Sequence, residues 1–450
     1  MSLERRDFLK KAGLAGISLN TGRWLMYEDG NGNDLSNSKN QRGGFPRQIF
    51  NEKIQEARDI ALSILKPSKK DLEHGLELHA NSVVFDTYGF MPRAGYDGAK
   101  IADAIAQNAS VLEINDLQED HHMTRCVDVP EERDEFVEAF AASGVTCLFQ
   151  NAGEESNSVQ VLLKRLARFT YVTDMMPDFA KKGLLSGDAL DAKSANRHLL
   201  YFSGNGVPMP LDMVSLEEEL RYIRVFYQLG IRMMHLTYNR RNLIGDGCGE
   251  PTDAGLSDFG RAVVQEMNRV GVLIDIAHSG WQTSLEAAQL SDRSIVASHT
   301  TCAAIHEHIR SKPDKVIKAI ADKEGYIGIC CIPRFLGGTG SIADMMKHID
   351  YVAKKYGPEY VGIGTDVVYV SRHAPEQNRK IPERPKGRIR WEALWPPDDF
   401  KETQLMRKSM AWTNWPLFTV GLVQMGYSDV DIQKIIGGNA LRVLQSVSNR

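Results

Sequence analysis

From about residue 50 onward, short continuous apolar runs alternate with longer stretches of helical periodicity. The runs occupy 82–87, 145–150, 199–203, 231–237, 272–277, 294–298, 326–331 and 360–365. Runs this short, apolar on both faces, predict strands of a buried parallel sheet. Between them lie amphipathic segments such as 256–270, where Phe259, Val263, Met267 and Val270 recur at helical spacing behind a capping Ser257. Eight strand-and-helix units predict closure into a (β/α)8 TIM barrel. After residue 374 a Pro- and Trp-rich loop precedes predicted helices over 417–425 and 429–447. Residues 48–450 read as one barrel domain with a C-terminal helical extension, without internal repeats.

The carboxyl ends of the strands are where such a barrel places its chemistry. The fifth and sixth runs end at His278 and His299, and the eighth ends at Asp366. The first run delivers Asp86, Tyr88 and Phe90, the third Gly204 and Asn205, and the fourth Thr237, Tyr238 and Asn239. Either histidine alone reads as a structural core residue. Together, on consecutive strands with Asp366 at the same level, they form a workable ligand set for zinc.

Composition narrows the picture only a little. The 450 residues carry 54 Lys and Arg against 58 Asp and Glu, a formal charge of -4 that leaves no electrostatic footprint for nucleic acid. The six cysteines show no CxxC spacing and sit in or beside apolar runs, as buried thiols rather than a disulfide framework. Residues 2–11, S-L-E-R-R-D-F-L-K-K, resemble a twin-arginine export signal, and the apolar stretch at 12–19 is too short to span a bilayer. Residues 1–47 are therefore expected to be a signal and a Gly-, Asn- and Ser-rich linker, and the mature protein periplasmic or extracellular. If Arg5 and Arg6 only end a basic helix, the protein is cytoplasmic. Glu119, Asp120, His121 and His122 read as a solvated loop, and 245–255 as a Gly-rich rim loop with Asp246 and Asp253 facing the pocket.

L-T-Y-N at 236–239, G-L-S-D-F-G-R-A-V-V-Q-E-M-N-R-V-G at 255–271, D-I-A-H at 275–278 and A-S-H-T at 297–300 form a recognisable series. It continues with H-I-R-S-K-P-D at 308–314 and H-I-D-Y-V-A-K-K-Y-G-P-E-Y-V-G-I-G-T-D at 348–366. G-Y-S-D-V-D-I-Q-K-I-I-G-G-N-A-L-R-V at 426–443 completes it. In this order the segments resemble the membrane dipeptidase family, peptidase family M19, over about residues 70–446. The resemblance implies a (β/α)8 fold, a dipeptide or similar small amide with a free carboxylate as substrate, a capacity to form a homodimer, and two zinc ions that share a carboxylate and activate water. It casts His278 and His299 as ligands of one zinc and Asp366 as a ligand of the other that also handles the attacking water. Arg310 matches the arginine that pairs with the substrate carboxylate, for which its planar fork is suited.

The departures are equally specific. Where the family has H-x-D at the end of the first strand, this chain has Tyr88 and Phe90, and Gly204 or Asn205 replaces the bridging glutamate. Tyr238 stands where the family carries a histidine that polarises the substrate carbonyl. These losses predict one zinc rather than two, held by His278, His299 and Asp366, with Tyr238 donating to the developing oxyanion and with Arg310, Asn239 and Tyr88 contacting substrate. The alternatives are a metal-free chemistry in the same pocket and a non-catalytic ligand-binding pseudoenzyme. A small-molecule partner is expected, and neither nucleic acid nor a transmembrane anchor.

Overall fold

Apolar runs with no polar face become strands only where both faces are covered, and that condition organises the molecule. The computed structural model describes residues 50–448 except 154–157, 213, 384–393 and 397, and residues from Phe50 onward form one compact unit. The signal and linker expected over 1–47 lie outside the described residues. The strands are β1 (Phe85–Gly89), β2 (Cys147–Asn151), β3 (Ala180–Lys182), β4 (His198–Gly204), β5 (Ile231–His235), β6 (Leu273–Asp275), β7 (Ile295–Cys302), β8 (Ser311–Lys312), β9 (Ile327–Ile329) and β10 (Val361–Ile363). All pairings are parallel, in the order β1-β2-β4-β5-β6-β7-β9-β10, with β3 added to β4 and β8 to β7.

Each of the eight runs read from the sequence contributes a strand of this path, and together with the intervening helices they make the (β/α)8 barrel. Side chains close the gap between β10 and β1. Thr365 donates its backbone N–H and its hydroxyl to the two oxygens of Asp86, at 2.9 and 2.6 Å, and the Asp366 N–H donates to Tyr88 O at 3.0 Å. β1 begins later than the run at 82–87 because the helix Lys69–Asn81 extends up to it, with the Ser82 hydroxyl turned back onto Leu78 O at 2.6 Å.

The barrel interior is filled by Phe85, Phe149, Tyr201, Met233, Leu273, Val296 and Tyr326, all buried. Phe85 stacks on Phe149 and on Tyr201 with ring centroids 5.1 and 5.2 Å apart. The C-terminal helix Asn439–Val447 seals the amino end of the barrel: Leu441, Val443, Leu444 and Val447 join this core, and Asn439 Nδ2 donates to Val361 O at 2.7 Å. With one end closed by apolar packing, only the carboxyl end can admit a ligand. The helix Asp258–Val270 forms as its periodicity predicts, capped by Ser257 and stopped at Gly271, whose φ of 92° suits glycine.

The stretch containing Glu119 to His122 is not a loop. It lies within the helix Val111–Asp128, started by a Ser110–Glu113 capping box, and its charges are paired rather than solvated. Arg168 reaches Glu119 and Asp120 at 3.2 and 3.1 Å, and His122 Nδ1 bonds Ala94 O at 2.7 Å. The rim carboxylates are also committed to structure: Asp246 accepts from Ala254 N at 2.6 Å and pairs with Arg241, while Asp253 accepts from Gln282 N at 2.5 Å at the start of the helix Trp281–Leu290. Among the described residues no helix is long and apolar enough to cross a membrane.

Candidate metal centre

Three adjacent strands, β5, β6 and β7, bring the polar residues of the barrel mouth together. His235 ends β5 and is in register with Asp275, the last residue of β6. His278 follows in the turn after β6, and His299 lies within β7. The three imidazoles converge, with centroid separations of 5.4 Å for His235–His278, 5.3 Å for His235–His299 and 4.9 Å for His278–His299.

Neighbouring groups determine the tautomers. His278 Nδ1 lies 2.7 Å from Asn239 Oδ1, an atom that also accepts from Cys248 Sγ at 3.3 Å and so is the amide oxygen. His278 therefore carries its proton on Nδ1. His299 Nδ1 lies 2.7 Å from Ser298 Oγ, whose own hydrogen is given to Asp275, so His299 is also protonated on Nδ1. Both Nε2 atoms are left with lone pairs, and these face each other 2.9 Å apart. Burial, and next the charge of Arg310, hold both rings far below the usual histidine pKa, which keeps them neutral. Two neutral nitrogens side by side, each tied back through its other nitrogen, could hold a divalent transition metal.

Asp275 supports this arrangement from beneath. It accepts from Ala277 N at 2.9 Å and Ser298 N at 3.0 Å, as well as from the Ser298 hydroxyl. Burial pushes its carboxyl up, but His235 and the Ser298 donors outweigh that and hold it below the ordinary carboxylate range. Among the described residues, the group of three whose ligand atoms lie within 4.8 Å of one another is His235, Asp275 and His299.

The expected trio of His278, His299 and Asp366 is thus brought together only in part. Asp366 stands beyond the end of β10 in the left-handed region, φ 54°, with its N–H on Tyr88 O at 3.0 Å, and like His278 it falls outside the close group. This backbone conformation is costly for a non-glycine residue and recurs at functional sites. Arg310 is fully buried: Nη2 donates to His299 O at 2.9 Å, Nη1 donates to Ala277 O, and Nε has no hydrogen-bond partner. A local ion pair with Asp314 is not formed, because Asp314 is taken by Lys355 at 2.6 Å and Tyr351 at 2.8 Å. Lys312 is buried behind the site, donating to Ser279 O at 2.6 Å, and burial lowers its pKa to about 7.

Aromatic rings flank the imidazoles. Tyr88 stacks on His299 at 3.8 Å and gives its hydroxyl hydrogen to Asn205 Oδ1, and the half-buried Tyr238 stacks on His278 at 4.1 Å. Trp395 meets both Tyr238 and His278 edge-on at 6.3 and 6.4 Å. Phe90 packs edge-on to Tyr88 at 6.2 Å. Where a second ion would need ligands, then, stand two aromatic rings and an amide oxygen already engaged. Asp86 spends its oxygens on Thr365 and on Trp412 Nε1 at 3.0 Å, and burial raises its pKa to about 6.

Sequence reasoning missed His235, because the apolar run was followed to Thr237, which put the strand end two residues too late. The signal was a histidine directly before L-T-Y-N, three residues ahead of Tyr238.

The model of the membrane dipeptidase family, peptidase family M19, matches residues 77–376. Curated relatives include Dipeptidase verJ of Clonostachys rogersoniana, 29% identical over 228 residues covering 50% of each chain. Dipeptidase aclJ of Aspergillus oryzae is 28% identical over 261 residues, 56% of this chain and 54% of that one. The chain spans about half the length of these relatives. Among solved structures, an amidohydrolase from Pseudomonas aeruginosa superposes with a TM-score of 0.61 at 24% identity, covering 84% of this chain and 99% of the other. The probable dipeptidase PvdM from the same organism gives 0.61 at 18% identity, covering 84% and 98%, and both structures bear on the fold. With two thirds of its residues inside the family match, the chain belongs to the membrane dipeptidases, metallopeptidase family M19.

Proposed function

We propose that this protein hydrolyses a dipeptide or a similar small amide bearing a free carboxylate, at a site holding one zinc ion. The observation that carries the reading is the pair of bare Nε2 atoms of His278 and His299, 2.9 Å apart and locked by Asn239 and Ser298. One ion rather than two follows from the side chains at the lost positions, since Tyr88 and Phe90 are no substitute for an imidazole and a carboxylate. A bound zinc supplies a Lewis acid that polarises a carbonyl and lowers the pKa of water to about 7.

The chain's own groups do the rest. Asp366, half-buried at the mouth beside Tyr88, takes a proton from the attacking water and returns it to the leaving amine. Tyr238, stacked on His278, donates its hydroxyl toward the oxyanion that develops on the scissile carbonyl. Arg310 draws the substrate carboxylate by its buried charge, with Nε the donor not already given to backbone. Tyr88 and Asn239 shape the floor, and Trp395 restricts water at the rim.

The Tyr88–Asn205 hydrogen bond favours one competing reading, a binding protein that keeps the pocket and not the reaction. Elemental analysis of the purified protein, with a dipeptide panel assayed on the same sample, separates the two. One equivalent of zinc with turnover supports the hydrolase, and zinc without turnover on any dipeptide supports the binding protein. Absence of metal after growth in zinc-supplemented medium refutes the one-zinc site. We also propose that the N-terminal twin-arginine segment exports the folded protein, which suits a metal loaded before export. Replacing Arg5 and Arg6 by Lys is expected to retain a reporter fusion in the cytoplasm, and unchanged secretion would refute that route.

A further inference from the structure

We infer that His235 is a third protein ligand of this metal, so that the site is a three-imidazole centre of a kind the family pattern does not contain. The inference rests on the proposed one-zinc reading and deepens it. His235 is fully buried at the end of β5, and neither ring nitrogen makes a hydrogen bond. A buried ring nitrogen with nothing to meet it, as Nδ1 is, is costly and calls for a ligand.

The carboxylate beside it does not meet that need. Nε2 of His235 comes within 2.6 Å of Asp275 Oδ2, which leaves Nδ1 unmatched, and Asp275 also accepts from Ala277 N, Ser298 N and the Ser298 hydroxyl. The ring instead stands about equally far from the two histidines whose bare nitrogens face each other, at 5.4 and 5.3 Å between centroids. It also belongs, with Asp275 and His299 though not His278, to the group whose ligand atoms lie within 4.8 Å of one another.

The chemistry is consistent across all the positions that changed. Family ligands at 88 and 90 are replaced by rings, and Tyr88 occupies the space over His299 at 3.8 Å. An imidazole from the neighbouring strand makes up the number that one zinc requires. Three imidazole nitrogens suit zinc and leave a position open to water or substrate, as in other three-histidine catalytic sites. Asp275 then acts as the outer carboxylate that orients His299 through Ser298.

The test uses the full chain and two readouts that do not depend on turnover. Zinc affinity is measured by competition with a chromophoric chelator, and the cobalt-substituted protein is examined by visible absorption. His235→Ala is expected to weaken zinc by more than about 100-fold, beyond the 10–100-fold that loss of an outer-shell partner costs, and to change the cobalt bands. His235→Cys is expected to restore tight binding and to add a thiolate-to-cobalt charge-transfer band, which arises only if residue 235 touches the metal. This second variant also covers the case in which His235→Ala fails to fold. Wild-type zinc affinity and an unaltered cobalt spectrum in His235→Ala, or no charge-transfer band in a folded, cobalt-loaded His235→Cys, would overturn the assignment while leaving the His278–His299 site intact. Absence of zinc from the wild-type protein would overturn both.

Discussion

The Tyr88 ring lies flat on His299, centroids 3.8 Å apart and planes 12° from parallel, with its hydroxyl bonded to Asn205. The tyrosine holds the imidazole in place by its face and offers it no ligand atom. Removing the hydroxyl therefore differs in kind from removing an imidazole. Tyr88→Phe keeps the stack and is expected to bind zinc as the wild type does, whereas His278→Ala and His299→Ala each abolish stoichiometric zinc. Elemental analysis of the three proteins checks this. Retained zinc in both histidine variants would remove the basis of the site.

Asn239 acts one layer out. Its amide oxygen fixes the His278 tautomer at 2.7 Å, and it is fully buried. Asn239→Ala frees the ring to turn or to move its proton to Nε2, so zinc affinity is expected to fall about 10–100-fold with the stoichiometry at saturation unchanged. Chelator competition measures the affinity. An unchanged value would mean that packing by Tyr238 alone orients His278.

Away from the site, two buried histidines set an acid limit on stability. His79 bonds Ser143 O at 2.9 Å and Thr419 Oγ1 at 2.8 Å, tying three helices together, and burial lowers its pKa to about 3. His198 bonds Val145 O at 2.7 Å, and burial lowers its pKa to about 4. Both are neutral in the fold and protonate in the unfolded chain near pH 6.5, so the unfolded state binds more protons below that pH. Their stabilisation is complete above pH 6.5 and is lost as the pH falls toward 3–4, by about 1.4 kcal/mol per pH unit for each histidine. Denaturation midpoints between pH 4 and 7 should fall accordingly, and His79→Gln should flatten the slope. A pH profile identical in that variant would exclude His79 as a source.

The barrel was legible because strands covered on both faces are short apolar runs that alternate regularly with helical patterns, whereas the apolar run in the helix Trp415–Gln424 falls after the last strand. Boundaries were less legible: β5 stops at His235 although the run continues through Leu236 and Thr237, since pairing with β6 ends at Asp275. That difference of two residues hid His235, whose significance lies in which strand stands beside it rather than in its spacing along the chain. The helix Val111–Asp128 was hidden for the opposite reason. Its charged face looks solvated in sequence, and only the fold brings Arg165 and Arg168 across to Glu119. Arg310 shows a third limit: its motif identifies the residue, but its bonds to Ala277 O and His299 O depend on where β6 and β7 end.

The proposed loss of the first metal position, which rests on the departures of Tyr88 and Phe90 from the family pattern, is expected to be reversible. Tyr88 donates to Asn205, one of the two residues, with Gly204, at the expected place of the bridging glutamate, so these side chains satisfy each other with a neutral hydrogen bond in the buried interior. Reverting one alone leaves a buried charge or donor facing the wrong partner, a loss of about 1–3 kcal/mol. Tyr88→His with Phe90→Asp and Asn205→Glu replaces the bond by an imidazole and two carboxylates, a hard and borderline donor set that a second zinc can neutralise. The triple variant is expected to bind two equivalents of zinc where the parent binds one, and the Asn205→Glu single variant to lose thermal stability without gaining metal. Zinc titration with unfolding temperatures followed in parallel measures both effects. A triple variant that still saturates at one equivalent would mean that the backbone at the ends of β1 and β4, and not only the side chains, has moved away from the two-metal form.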